Sequence, residues 1–390
     1  MSDLKQKVIA EVDRIFPELV RLSRAIHDHP ELGFEEKDAC SLLTRFLDSN
    51  GFRLEAGVSS LDTAFRAYRG TPVTPSIAFL AEYDALPNMG HACGHNLIAA
   101  AGAGAGAALA AVLPQGMGRI LVMGTPGEEM HGGKISMIEH GAFDGIDAAM
   151  MFHPSVRNAV VKRTLSMTEL RITFHGKSTH AAATPELGVN ALDAMILMFT
   201  GINALRQQTP EDTRIHGIIT HGGDAVNVIP SMTEARIAVR ALEVRVMNGL
   251  VERVKRCMEG AAQSTGCSCE AELAGPVYEG FVPNYTLAGI FQKAVESFGV
   301  TINDTDETKY IGSSDIGNLS RVLPAIHPEL SICGMDRLPH TPGFAEAART
   351  EAAERIMGIA AKALALTGLE VLMNPDVLKK MQEEFKKHQP

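Results

Sequence analysis

The sequence predicts an α/β fold: a discontinuous α/β domain interrupted by an inserted ferredoxin-like unit of order βαββαβ. Three observations predict it. Short apolar strands alternate with helices over residues 76–152. Alternating strands and amphipathic helices then follow in βαββαβ order. Helical periodicity returns after Pro283. A chain of 390 residues has room for two domains of ordinary size. The expected boundaries are 1–165 with 285–390 for the first domain and 166–284 for the insertion.

Each element has its own signal. Leu4, Val8, Val12, Phe16, Leu19, Leu22 and Ile26 recur at helical spacing, with Pro17 expected to kink or break the run. A second helix is expected over about 36–49, stopped by Gly51. SIAFLAEY (76–83), RILVMG (119–124) and DAAMMF (147–152) read as buried strands. Between them lie an Ala/Gly-rich helix over 96–113, able to pack closely on a sheet, and a short helix over 135–140. The insertion reads as strand 169–175, helix 189–206, strands 214–221 and 233–242, helix 243–264 and strand 267–273. Met195, Leu197, Met198 and Phe199 are assigned to the packed face of its first helix. A helix follows Pro283, residues 311–343 read as loop, and helices close the chain.

Composition excludes several classes. Lys and Arg number 36 against 46 Asp and Glu, a formal charge of −10, which leaves no broad basic face for nucleic acid. An anionic small molecule is still allowed, because a local pocket can be basic on an acidic protein. No apolar run is read as reaching the ~18 residues of a membrane span; the best candidate, 97–113, is mostly Ala and Gly. The N-terminus carries scattered charges and no secretory pattern. The 6 cysteines are irregularly spaced, as expected of free thiols in a reducing compartment. The expectation is a soluble cytoplasmic protein with neither membrane nor nucleic-acid partners.

Four patches carry chemistry. Glu82 and Asp84 follow the first apolar strand, and His91, Cys93 and His95 come soon after. Glu128 and Glu129 follow the second strand, and His153 follows the third. His340 lies in the late loop. In open α/β sheets ligands bind beyond the carboxyl ends of the strands, where three of these patches fall. Thiolate, imidazole and carboxylate together suit zinc or a similar divalent ion. Paired carboxylates suggest that one binds metal while its neighbour activates water. A lone His or Glu pair is ordinarily solvated surface, so the argument rests on their joint placement.

The ordered motifs HPELGFEE (29–36), EYDALP (82–87), HACGHN (91–96), PGEE (126–129), FHP (152–154), GKSTHAA (176–182), NVIP (227–230) and PHTPGF (339–344) resemble the M20 metallopeptidase/amidohydrolase family. HACGHN followed by LIAA is most similar to its aminoacylase-1-like-2 and p-aminobenzoyl-glutamate hydrolase group. The resemblance implies that Cys93, His95, Glu129, His153 and His340 hold two divalent metal ions, Zn or Mn with Co as an alternative. It implies Glu128 as general base on metal-bound water and Asp84 as the carboxylate that orients a ligand. His180 matches a histidine that crosses a dimer interface to polarise the scissile carbonyl. Asn227 and Arg240 match substrate-holding positions, Arg240 as a clamp for a free carboxylate. The insertion would then be a lid and dimerisation domain, and the protein a homodimer.

Two departures stand out. Glu82 occupies a position where other branches have a His ligand, and Asn96 replaces the Asp common after Cys-Gly-His. The implied activity is metal-dependent hydrolysis of an amide bond in a small N-acyl amino acid or dipeptide-like substrate. A catalytically silent, metal-dependent binding or regulatory subunit is the alternative. A general base would be superfluous in such a subunit. A structural zinc site is less consistent with a donor set that includes adjacent carboxylates.

Overall fold

The computed structural model describes residues 1–71, 75–309 and 311–387. The chain divides into two compact units, 1–163 with 281–390, and 164–280. Residues 388–390, at the end of the first expected domain, lie outside the described ones.

The first unit opens with helix α1 (Ser2–Asp28), which runs unbroken through Pro17. Its stripe of Val8, Val12, Ile15, Leu19, Leu22 and Ile26 is buried. Burial of that many side chains, at roughly 1.5–3 kcal/mol each, outweighs the ~3 kcal/mol cost of an internal proline. Helix α2 (Lys37–Ser49) leads into strands β1 (Arg53–Ala56) and β2 (Phe65–Gly70), an antiparallel pair that the sequence reading omits. Strand β3 (Ser76–Ala81), helix α3 (His95–Val112) and strand β4 (Arg119–Gly124) form the expected crossover. Two short helices follow, α4 (Glu128–His131) and α5 (Gly133–Glu139), and then strands β5 (Ala148–Met150) and β6 (His153–Ser155).

The six-stranded sheet has the order β1-β2-β4-β3-β5, completed by β11 (Ala325–Ile326). Strands β4, β3, β5 and β11 are parallel, while β2 joins β4 antiparallel. Both faces are covered. Ile77, Phe79, Ile120 and Val122 belong to a core shared with α1, α2 and α3. Ala78, Leu80, Leu121 and Met123 point into a second core containing Met137, Ile316 and Leu319. Close approach of α3 depends on glycine. A Cβ on Gly102 would lie 2.3 Å from the Leu80 carbonyl oxygen, and one on Gly104 would lie 2.5 Å from Leu19 Cδ1.

Strands β7 (Ser166–His175), β8 (Arg214–His221), β9 (Met232–Ala241) and β10 (Ser268–Leu273) make the sheet of the second unit, with helices α6 (Ala191–Leu205) and α7 (Val244–Thr265). Its order, β10-β7-β9-β8, is wholly antiparallel, which is the ferredoxin-like arrangement. Leu170, Ile172, Phe174, Ile237 and Val239 alternate into a core with Met195, Met198, Met247 and Val254. Leu197, assigned above to the packed face, is instead exposed, as is Ile196. The buried stripe, Ala191, Ala194, Met195, Met198 and Ile202, runs along the opposite face.

The first unit resumes with α8 (Tyr285–Ser297). The expected loop 311–343 holds more structure than its composition suggests: helix α9 (Ile316–Val322), strand β11 and strand β12 (Glu329–Ser331), which pairs with β6. Helices α10 (Pro342–Ala347), α11 (Glu351–Met373) and α12 (Pro375–Lys387) end the chain. By length and composition α3 and α11 are apolar enough to cross a membrane, contrary to the reading of the sequence. Both are core helices here, 89% and 72% buried over their apolar windows.

Candidate metal centre

The parallel strands β3, β4 and β5 deliver their following residues to one edge of the sheet. Glu82 and Asp84 follow β3, Glu128 and Glu129 follow β4, and His153 follows β5. The segment after β3 turns back to place Cys93 and His95. Gly94 makes that turn at φ +79°, and a Cβ there would lie 2.7 Å from Pro154 Cγ. Glycine is therefore required on both conformational and steric grounds. His95 then begins α3.

Asp84 organises the centre. Its Oδ1 lies 2.9 Å from His95 Nδ1, and its Oδ2 accepts the Glu129 backbone N–H at 2.9 Å. The Asp84 carbonyl lies 3.0 Å from the same Nδ1. Both neighbours of Nδ1 are acceptors, so Nδ1 carries a proton and Nε2 is the nitrogen turned toward the other donors. His153 Nδ1 lies 2.7 Å from the Pro154 carbonyl, which by the same reasoning leaves its Nε2 facing Cys93 Sγ at 3.5 Å. Glu129 Oε1 lies 3.9 Å from His95 Nε2 and 3.5 Å from His340 Nε2.

His340, which the strand reading could not place, reaches this cluster from a left-handed backbone at φ +63°. Its N–H is bonded to the Ala92 carbonyl at 2.9 Å. A non-glycine residue in that region carries some backbone strain, which the surrounding contacts hold in place.

Four overlapping donor groups result among the described residues: Cys93, His95 and His153; Cys93, Glu129 and His340; His95, Glu128 and Glu129; and Glu82, Glu128 and Asp315. Within each, one donor atom per residue lies within 4.8 Å of the others. The donors fit divalent metal by their chemistry, a mixed set of sulfur, imidazole nitrogen and carboxylate oxygen. His95 Nε2 and Glu129 Oε1 are also buried with no hydrogen-bond partner, which leaves both atoms available to a cation.

Burial and neighbouring charge shift the protons held at these donors, and burial with Glu129 raises the Cys93 thiol well above its ordinary value. Burial alone would lower the His95 imidazole, but Asp84 and Cys93 beside it hold it well above its ordinary value. Burial would raise Asp84, and His95 keeps it low. Glu128 is pushed well up by burial and by Glu82, Glu129 and Asp315 around it. His153 is lowered by burial and by His95. A site of this kind favours the exchange of protons for cations.

Several participants escaped the sequence reading. Glu36, from the HPELGFEE segment, is buried; its Oε1 accepts the Gly127 N–H at 2.8 Å and its Oε2 the Thr63 hydroxyl at 2.8 Å. Phe34, at φ +69°, covers Gly127 and stacks on His131. The Glu31 carbonyl accepts the Ala85 N–H at 2.8 Å. One segment thus braces the loops that carry Asp84 and Glu128. Lys134 pairs with Glu82 and Asp315, and His327 packs edge-on against His153 at 5.3 Å between ring centroids. The Lys134 partners lie 52 and 181 residues away, so no local pattern announces them. Glu82 is held by Lys134 through one oxygen, and its other oxygen lies 3.6 Å from His95 Nε2. Asn96 donates to Ser23 Oγ and the Ala348 carbonyl, a packing role inside the core.

The remaining candidates belong to the second unit. His180 is exposed, and its Nδ1 accepts the N–H groups of Ala182 and Ala183, both at 3.2 Å. Asn227 lies beside it, its carbonyl accepting the Ala181 N–H at 2.9 Å. Arg240 is half-buried on β9, opposite Met167 and Arg214. Cys267 and Cys269 are free thiols.

A mixed-ligand cluster with paired carboxylates, set at the carboxyl edge of an α/β sheet, defines a metallohydrolase. Comparison with known proteins makes the class specific. Residues 165–265 match the M20 peptidase dimerisation domain. The chain is 40% identical to mouse Xaa-Arg dipeptidase over 98% of its own length and 92% of that protein. It is 35% identical to one of the subunits of p-aminobenzoyl-glutamate hydrolase from Escherichia coli K12, over 73% of this chain and 63% of that one. Its fold is similar to that of a dinuclear metal-binding M20 peptidase from Bacillus subtilis, with a TM-score of 0.70 at 21% identity, covering 92% of this chain and 99% of the other. The chain belongs to the M20 family of metallopeptidases and amidohydrolases. It is a metal-dependent hydrolase of carbon–nitrogen amide bonds.

Proposed function

We propose that this enzyme cleaves dipeptides or small N-acyl amino acids, with Cys93, His95, Glu129, His153 and His340 holding two divalent ions, Zn or Mn, or alternatively Co. The observation that carries the assignment is the pair of three-donor groups that share Cys93, placed beside the buried Glu128. When bound, the ions would polarise the amide carbonyl and ease deprotonation of water. Glu128 takes the proton from the attacking water and returns it to the leaving amine. Burial and the carboxylates of Glu82, Glu129 and Asp315 around it raise its proton affinity. Asp84 fixes the His95 tautomer and orients Glu129 through its backbone.

His180, Asn227 and Arg240 are assigned to the substrate on the motif resemblance: His180 on the scissile carbonyl, Asn227 and Arg240 on the remainder, with Arg240 on a terminal carboxylate. Homodimerisation through residues 165–265 is supported by the family description of that segment, and a cytoplasmic setting by the unpaired cysteines.

The identity with the mouse enzyme favours dipeptides with a C-terminal arginine as first substrates. The test is a panel of Xaa-Arg and Xaa-Lys dipeptides, p-aminobenzoyl-glutamate, N-acetyl and indole-acetyl amino acids. Each is assayed with chelated protein resupplied with Zn, Mn or Co. Metal-restored cleavage of a dipeptide or acyl amino acid supports the reading. Metal-bound protein inactive on every member would contradict it.

A further inference from the structure

Lys134 is fully buried, and its ammonium lies 2.5 Å from Glu82 Oε1 and 2.6 Å from Asp315 Oδ1. Its backbone N–H donates to Asp315 Oδ2 at 2.9 Å, so Asp315 grips the residue at both ends. Glu82, Glu128 and Asp315 each offer an oxygen within 4.8 Å of the others. Three carboxylates at this spacing have the donor arrangement of a cation site. The cation here is built into the chain.

Buried ion pairs are seldom kept for stability, because well-packed apolar residues of similar volume serve as well or better. The position of the network gives it a different role. Glu82 faces Lys134 with one oxygen and His95 Nε2 with the other, at 3.6 Å. Without the ammonium, Glu82 and Asp315 would be two uncompensated carboxylates beside Glu128. Glu82 would also be free to turn both oxygens toward His95.

We propose that Lys134 is a positioning residue for the general base: its ammonium holds Glu82 and Asp315 in place beside Glu128. The inference rests on the reading of Glu128 as the base. It assigns no contact between Lys134 and substrate.

The test compares Lys134→Met, Lys134→Ala and the charge-balanced double variant Lys134→Met/Glu82→Gln with the wild type and with Glu128→Gln. Each is assayed on a substrate the wild type cleaves, and metal per chain is measured by mass spectrometry. Lys134→Met is expected to lose about 100-fold in kcat, with KM within about threefold and metal content unchanged. Lys134→Ala regains part of the lost kcat with methylammonium and none with tetramethylammonium, which cannot donate a hydrogen bond. The double variant restores the melting temperature and leaves kcat low, which keeps the test usable if the single variants fold poorly. Wild-type kcat in metal-loaded Lys134→Met, full kcat in the double variant, or no response to methylammonium overturns the inference. Glu128→Gln separates the two readings. If it is inactive while the Lys134 variants turn over normally, the inference alone fails. If it turns over like the wild type, the reading of the base fails and the inference with it.

Discussion

Asp84 Oδ1 lies 2.9 Å from His95 Nδ1, with both side chains shut off from solvent. This contact fixes which imidazole nitrogen is presented to the cluster. Asp84→Asn keeps the shape and removes the charge. Partners of this kind are worth 10–100-fold in metal affinity, so the variant is expected to weaken binding by about that factor. Competition against a chromogenic chelator measures it. Unchanged affinity would show that Asp84 does not orient His95.

Gly94 separates Cys93 from His95 at φ +79°, with Pro154 packed against it. Gly94→Ala adds a left-handed alanine, costing about 1–2 kcal/mol, and a clash with Pro154 Cγ. The expected outcome is a lower melting temperature together with weaker metal binding, because the turn that would relieve the clash also carries two donors. Calorimetry with and without metal reads both effects.

Glu36 supplies a pH signature of stability. Burial pushes its carboxyl up to about 7, against the hydrogen bonds it accepts. The folded chain therefore binds this proton more tightly than the unfolded chain. Its contribution is fully present below the ordinary carboxyl value and is lost as pH rises toward about 7. The swing is on the order of 3 kcal/mol. Glu36→Gln removes the titration. Subtracting urea-denaturation curves of the variant from those of the chelated wild type isolates the slope. A difference that does not vary with pH would refute the assignment.

Arg240→Ala is expected to raise KM about tenfold for substrates with a free carboxylate, equivalent to about 1.4 kcal/mol, with little effect on the corresponding carboxamides. Steady-state kinetics on matched pairs of substrates decides it. Equal loss on acid and amide would remove Arg240 from the carboxylate.

Much of this was legible in the sequence because it is local. Strand–helix alternation with largely apolar strands marked β3, β4 and β5, and residues following them supply every member of the cluster but His340 and Asp315. The βαββαβ order of the second unit could be read from the period of its strands and helices. Features that depend on pairing at a distance could not. Strand β1 is largely exposed and polar, and it is a strand because β2 pairs with it. Strands β11 and β12 are two and three residues long and gain their form from β5 and β6. Hydropathy alone also cannot distinguish a membrane span from a helix such as α3, whose apolar surface is consumed by the sheet on one side and α1 on the other. Glu36, Lys134 and His327 act through partners far along the chain, and no local spacing announces those partners.

The most direct test of the central claim is kcat for Glu128→Gln at measured metal content, on whichever dipeptide or acyl amino acid the wild type cleaves. The account predicts a protein that binds as much metal as the wild type and loses at least about 100-fold in kcat, with chelation abolishing what turnover the wild type shows. Wild-type turnover in Glu128→Gln, or activity that survives complete removal of metal, would contradict it.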